Sequence, residues 1–114
     1  MSNGHAITIY PIVVDQTASS GAWSFNSLHI SQGVITHIVI ISATASTTFD
    51  ISITDEYDVI IFNTATENGD GQQYGTPTGR LDRRVHIPVR GLYTITCATA
   101  SVDEAFTGRI MVEQ

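Results

Sequence analysis

Lysine is absent. The 114-residue chain carries five cations, Arg80, Arg83, Arg84, Arg90 and Arg109, against eleven acidic side chains, for a formal net charge of −6. An acidic chain without a basic stripe argues against nucleic acid as the main partner, because affinity for phosphate backbones comes from clustered lysine and arginine. The missing lysine has two readings. One is drift in a small protein; the other is a surface largely covered in an assembly, where lysine is depleted and arginine tolerated. Charge of either sign is scarce, at 14% of residues against a usual ~25%.

Cysteine occurs once, as Cys97, so no intrachain disulfide can form. Its place in the alternation Tyr93-Ile95-Cys97 predicts a small buried core residue, and no histidine stands near it in sequence to make a catalytic thiol. Long apolar runs are also missing. Ile38 to Ile41 is as long as they get, far below the ~20 residues of a membrane-spanning helix. The N-terminal Met-Ser-Asn-Gly-His has no charged region followed by an apolar stretch, so no signal peptide is expected. These absences predict a soluble protein, made in the cytoplasm and not associated with a membrane.

Helical periodicity is missing too, and period two dominates. Phe49, Ile51 and Ile53 alternate with Asp50, Ser52 and Thr54. Val85, Ile87 and Val89 alternate with Arg84, His86, Pro88 and Arg90, and Phe106, Ile110 and Val112 with Thr107, Arg109, Met111 and Glu113. Successive side chains of a strand point to opposite faces, so each run has one core face and one outer face. Eight strands are predicted, over 6–14, 22–31, 33–43, 47–55, 58–63, 82–90, 92–99 and 105–113. Turns are placed at Ser31-Gln32-Gly33, at Asp55-Glu56-Tyr57-Asp58 and at Gly91. The expectation is all-β: one domain over 1–114, an antiparallel β-sandwich of about eight strands, jelly-roll or immunoglobulin-like, with consecutive strands paired.

Three details refine it. A kink near Asn26-Ser27 would let Trp23, Phe25, Leu28 and Ile30 all face the core. The strand containing Val34 to Ile41 is apolar on both faces in its second half, so it is either covered on both sides or carries an interface. Pro11 and Pro88 cannot donate to a ladder, which places their strands at edges or at bulges.

Nothing in the chain assembles into catalytic equipment, and no cofactor or metal is expected. Glu67-Asn68-Gly69-Asp70-Gly71 has the oxygen-rich character of a calcium loop but lacks its carboxylate spacing and terminal glutamate. Asp55, Glu56 and Asp58 sit at a turn tip and read as solvated acids rather than an acid–base pair. His29 and His37 flank the expected turn and could approach each other across neighbouring strands, though four ligands for a structural zinc are not available. No Gly-x-Ser-x-Gly elbow or phosphate-binding glycine motif is present. What remains is the long polar stretch 63–79 with Tyr74, leading into Arg80, Arg83 and Arg84. These four are the candidate partner-binding residues, an aromatic anchor and three planar guanidinium forks suited to carboxylates of a neighbouring subunit.

The segment Thr48 to Asp55 through Ile60-Ile61-Phe62, then Ile87-Pro88-Val89-Arg90-Gly91-Leu92-Tyr93-Thr94-Ile95-Thr96 and a final C-terminal strand, resembles small β-sandwich virion proteins of tailed bacteriophages. The resemblance covers roughly 47–113. It implies a viral structural role, as a capsid decoration (cement) protein or a small tail or adaptor component. Its partners would be capsid or tail subunits, and it would act as a homo-oligomer, a trimer being one form. No residue-level role carries over. The alternatives are a carbohydrate- or receptor-binding module using Trp23, Tyr57 or Tyr74 as stacking platforms, and a small hydrolase domain.

Overall fold

Two antiparallel four-stranded sheets face each other in the computed structural model, which describes residues 9–19, 21–27, 29–43, 49–64, 80–98 and 105–114. The strands are β1 (Ile9–Thr17), β2 (Trp23–Asn26), β3 (Ile30–Ser42), β4 (Asp50–Asp55), β5 (Ile60–Asn63), β6 (Arg80–Gly91), β7 (Tyr93–Ala98) and β8 (Ala105–Glu113). Sheet one has the order β1-β8-β3-β6 and sheet two the order β2-β7-β4-β5. That order decides between the two expected topologies. It is the double Greek key of a jelly roll, in which the chain alternates between sheets and pairs first strand with last.

The alternation read from the sequence is what fills the space between the sheets. Ile12, Val14, Ile35, Ile38, Ile40, Phe106, Ile110 and Val112 point inward from sheet one. Trp23, Ile51, Ile53, Ile95 and Cys97 meet them from sheet two. Each such side chain taken fully out of water contributes about 1.5–3 kcal/mol. Phe106 spans the interior, with its ring centroid 5.7 Å from that of Trp23 and 5.2 Å, edge-on, from Phe49. Pro11 and Pro88 lie in β1 and β6, the two edge strands of sheet one, where a missing donor costs no ladder bond.

Several expectations need correction. Only β4 and β5 pair as consecutive strands; β1–β8, β3–β6, β3–β8, β2–β7 and β4–β7 join distant segments. Ser31-Gln32-Gly33 is not a turn but part of β3. Gly33 serves close approach there instead, because a Cβ would come within 2.7 Å of Val112 Cγ1 and 2.9 Å of the Glu113 carbonyl. The strand expected over 22–31 is divided. β2 ends at Asn26, and the chain crosses to sheet one before β3 begins at Ile30, which buries Trp23 and Ile30 in different sheets; Leu28 lies outside the described residues.

The crossing at Ser27 and the corner between β6 and β7 are fastened to each other. Ser27 N–H donates to the Tyr93 carbonyl at 2.7 Å, and Tyr93 N–H donates to Ser27 Oγ at 3.1 Å. The corner itself turns at Gly91, whose φ of 101° lies in the left-handed region. Beyond it, the buried Tyr93 hydroxyl reaches back to accept from Arg90 N–H at 2.7 Å and donate to the Arg90 carbonyl at 3.0 Å. This is the geometry of a tyrosine corner. Replacing Tyr93 by Phe leaves both Arg90 groups without that partner, and the expected loss is about 1–3 kcal/mol in urea unfolding with an unchanged slope.

Candidate interaction face

The outer face of sheet one is ordered by the ladder register into three rows that cross all four strands. The first row is Asp15, Thr107, Ile41 and Arg80; the second Val13, Arg109, Val39 and Asp82; the third Pro11, Met111, His37 and Arg84. Strands stand about 4.8 Å apart, so the rows form a continuous patch. Pro11, Val13, Met111, Val39 and Ile41 make an apolar stripe through it. Val13 is 60% exposed, while Val39, Ile41 and Met111 are half-buried by their neighbours. Exposed Arg80 and Arg84 border the stripe along β6, and exposed Arg109 stands within it, between Val13 and Val39.

A bulge in β3 creates this arrangement. Gly33 and Ile35 face the core, and so do Ile38 and Ile40, so the inward parity switches between them. Both ladders of β3 shift register at Ile35/His37. Against β8 the extra residue is in β3, with two steps from Ile35 to His37 for one from Val112 to Met111. Against β6 it is in β6, with three steps from Ile87 to Arg84. His37, Val39 and Ile41 thereby lie on the outer face in line with Arg84, Asp82 and Arg80. The sequence reading that β3 is apolar on both faces is therefore met in a particular way. β3 lies inside its sheet, and its second apolar face looks outward.

The candidate residues are placed as follows. Arg80 and Arg84 share the outer face of β6, with Asp82 between them. Arg83 has the opposite parity and is half-buried. Tyr74 lies outside the described residues. Arg109 and Met111 were not singled out from the sequence. Strand alternation shows that they face outward, but only the long-range pairing of β8 with β3 brings them beside Val39 and His37.

Asp82 organises the arginine side of the face. It takes Arg80 Nη2 at 3.0 Å and His37 Nε2 at 2.5 Å. The hydrogen bond from His37, and then that from Arg80, hold its carboxyl below the usual carboxylate range. A lowered pKa means the ionised form is favoured in the folded state. The associated stabilisation is present above the ordinary carboxylate pKa and is lost as pH falls through the lowered value. The group is exposed, so its effect on stability is small. An NMR titration should show Asp82 ionising below its ordinary value in the native chain and moving back toward it in His37→Gln.

The remaining candidates resolve into structural roles. His29 precedes β3 and His37 lies within it, so seven residues of strand rather than a turn stand between them, roughly 25 Å of extended chain from one to the other. Asp55 Oδ1 accepts from Tyr57 N–H at 2.8 Å and Val59 N–H at 2.9 Å. Glu56 Oε2 accepts from Leu92 N–H at 3.3 Å. Both carboxylates thus hold backbone. Trp23 is buried in the core and offers no stacking platform, whereas Tyr57 is 80% exposed. The Glu67–Gly71 stretch lies outside the described residues. Among the described residues no three His, Cys, Asp or Glu side chains gather as metal ligands, and no helix is long and apolar enough to cross a membrane.

The outer face of sheet two differs in character. Ser24, Thr96, Ser52 and Asn63 form one row, and Asn26, Thr94 and Thr54 another. Thr94 Oγ1 donates to Asn26 Oδ1 at 2.9 Å, and the Ser24 and Thr96 hydroxyls are 3.3 Å apart.

The chain is similar in fold to solved structures of infectious bursal disease virus. The Gx strain structure matches with a TM-score of 0.41 and 11% identity over 96% of this chain and 32% of that one. The Gt strain structure matches with 0.41 and 12% over 96% and 32%. The VP2 subviral particle matches with 0.41 and 12% over 96% and 33%. The chain spans about a third of the length of those chains. No family model and no curated protein matches it.

Proposed function

We propose that the protein is a non-enzymatic structural component of a virus particle, and that the outer face of sheet one is its contact with a neighbouring subunit. The more specific reading is a capsid decoration (cement) protein of a tailed bacteriophage, added to the assembled shell. The observation that carries it is the apolar stripe with Arg109 within it and Arg80 and Arg84 along its border. Arginine and methionine are enriched at protein interfaces and lysine depleted, and this face holds three arginines, Met111 and no lysine. The jelly-roll strand order agrees with a viral role, since capsid domains use it, but lectins and cupins do as well.

On sheet one, the face is favoured over the edges as the point of attachment. An open edge strand can pair with another chain, but Pro11 and Pro88 interrupt the two edges of sheet one. Contacts through a face of this size are weak singly, and many copies on one lattice make them effective through avidity. A tail, fibre or adaptor position would use the same face. A carbohydrate-binding module is favoured only by the hydroxyl and amide rows of sheet two; binding on a glycan array that is lost in Thr96→Val would support it.

Cosedimentation with particles tests the reading. The native chain should travel with the particles of its own virus, and the R84E/R109E variant should bind them at least about tenfold more weakly. Equal binding by the variant would remove the face from the interface.

A further inference from the structure

We infer that the partner fitting this face is a second copy of the same chain, which presents its β4–β5 hairpin to the arginine-bordered stripe. The inference rests on the reading of the face as a protein interface and names what covers it.

Charge is divided between the two halves of the molecule. All five arginines lie in sheet one, against three acids there, Asp15, Asp82 and Glu113. Among the described residues, sheet two and its β4–β5 turn carry Asp50, Asp55, Glu56 and Asp58 and no arginine. Exposed apolar surface follows the same division. Of the five exposed large hydrophobic side chains among the described residues, Tyr57, Val59 and Ile60 are on the hairpin, and Leu92 is beside it, its N–H bound by Glu56. The fifth, Val13, is in the stripe. The hairpin is therefore an acidic knob with an apolar centre, and the stripe is an apolar strip with Arg109 in its middle and Arg80 and Arg84 along its β6 border.

The knob is also built to dock without much loss of freedom. Asp55 N–H donates to the Val59 carbonyl at 2.9 Å and Asp58 N–H to the Asp55 carbonyl at 3.1 Å, in addition to the two bonds accepted by Asp55 Oδ1. A turn already fixed costs little further ordering when it binds. Tyr57 would lie as the anchor on the apolar side chains of the stripe, with Asp58 toward Arg84 and Arg109. Knob and stripe are different surfaces, so the contact is head-to-tail. Such contacts close into a ring, of which a trimer is a small example, or continue as a chain.

Complementation by sedimentation equilibrium tests this with purified full-length chains. The native chain should self-associate, and more weakly in high salt. R84E/R109E lacks the receiving face. Y57A/D58N lacks the knob, while Asn keeps the positive φ of 65° that residue 58 adopts. Each variant alone should sediment as a single chain. Mixed in equal amounts they should form a species of two chains and nothing larger, because each supplies only the surface the other has lost. Formation of that species also shows that both variants are folded. Self-association by either variant alone, no species in the mixture, or a native chain that stays single would overturn the inference. Particle binding by a native chain that does not self-associate would leave the virion reading intact and remove only this step. Self-association without particle binding would do the reverse.

Discussion

Phe106→Ala is expected to lose about 3–5 kcal/mol of stability, a large share of the roughly 5–15 kcal/mol that holds a domain folded. Phe106 is fully buried and pairs in register with Gln16 of β1 and Ser42 of β3. Its ring is the piece that meets both Trp23 and Phe49 from the opposite layer. Truncation removes those contacts and leaves a cavity between two sheets whose backbones are fixed by ladders, so the space cannot close. Urea unfolding followed by Trp23 fluorescence reads the loss. Phe106→Leu, which keeps most of the volume, should cost less than half as much. A loss below about 1 kcal/mol for the alanine variant would mean that the sheets do not pack through this ring.

Gly108→Ala should cost about 2–4 kcal/mol although it adds only a methyl group. Gly108 has a φ of 157°, and a Cβ built there would fall on the carbonyl oxygen of Val39, 2.8 Å from Ile40 Cα and 2.9 Å from the Val39 carbonyl carbon. All three are backbone atoms of β3, the strand that pairs with β8 at this point. No rotamer change relieves the overlap; the strands must separate. Gly91 provides the comparison. Its φ of 101° is equally unsuited to alanine, but the atoms in the way belong to the Glu56 carboxylate, which can move aside. Gly91→Ala should therefore cost clearly less, about 1 kcal/mol. Thermal melts that rank the two the other way would contradict the close approach of β3 and β8. Because Gly108 lies between Thr107 and Arg109, the same variant should also weaken particle binding.

Local features of this fold were legible because they depend on neighbours in sequence. Phe49, Ile51 and Ile53 alternate with polar residues, and they are buried. Proline marked both edges of sheet one for the reason that it lacks a donor. Gly91 marked a corner. Gly33 was misread for an equally physical reason. A glycine serves a turn through its free φ and a crowded strand through its missing side chain, and sequence does not separate these uses. Jelly-roll pairing joins β1 to β8 and β2 to β7 across most of the chain, which a period of two cannot show. The candidate face inherits that limit. Arg80 and Arg84 could be paired by parity, and β3 could be seen to have a second apolar side. The addition of Val13, Arg109 and Met111 to the same patch required the register of three strands.

Hydroxyl-radical footprinting of the protein as a dilute single chain, below the concentration at which it self-associates, and bound to particles tests the central claim most directly, because it reads which side chains are covered. Met111 sits in the middle of the third row, half-exposed and readily oxidised. The account predicts that its oxidation falls several-fold on binding, together with that of His37, while Thr94 and Thr96 of sheet two keep their free-state reactivity. Bound protein in which Met111 oxidises as fast as in the free chain would contradict it.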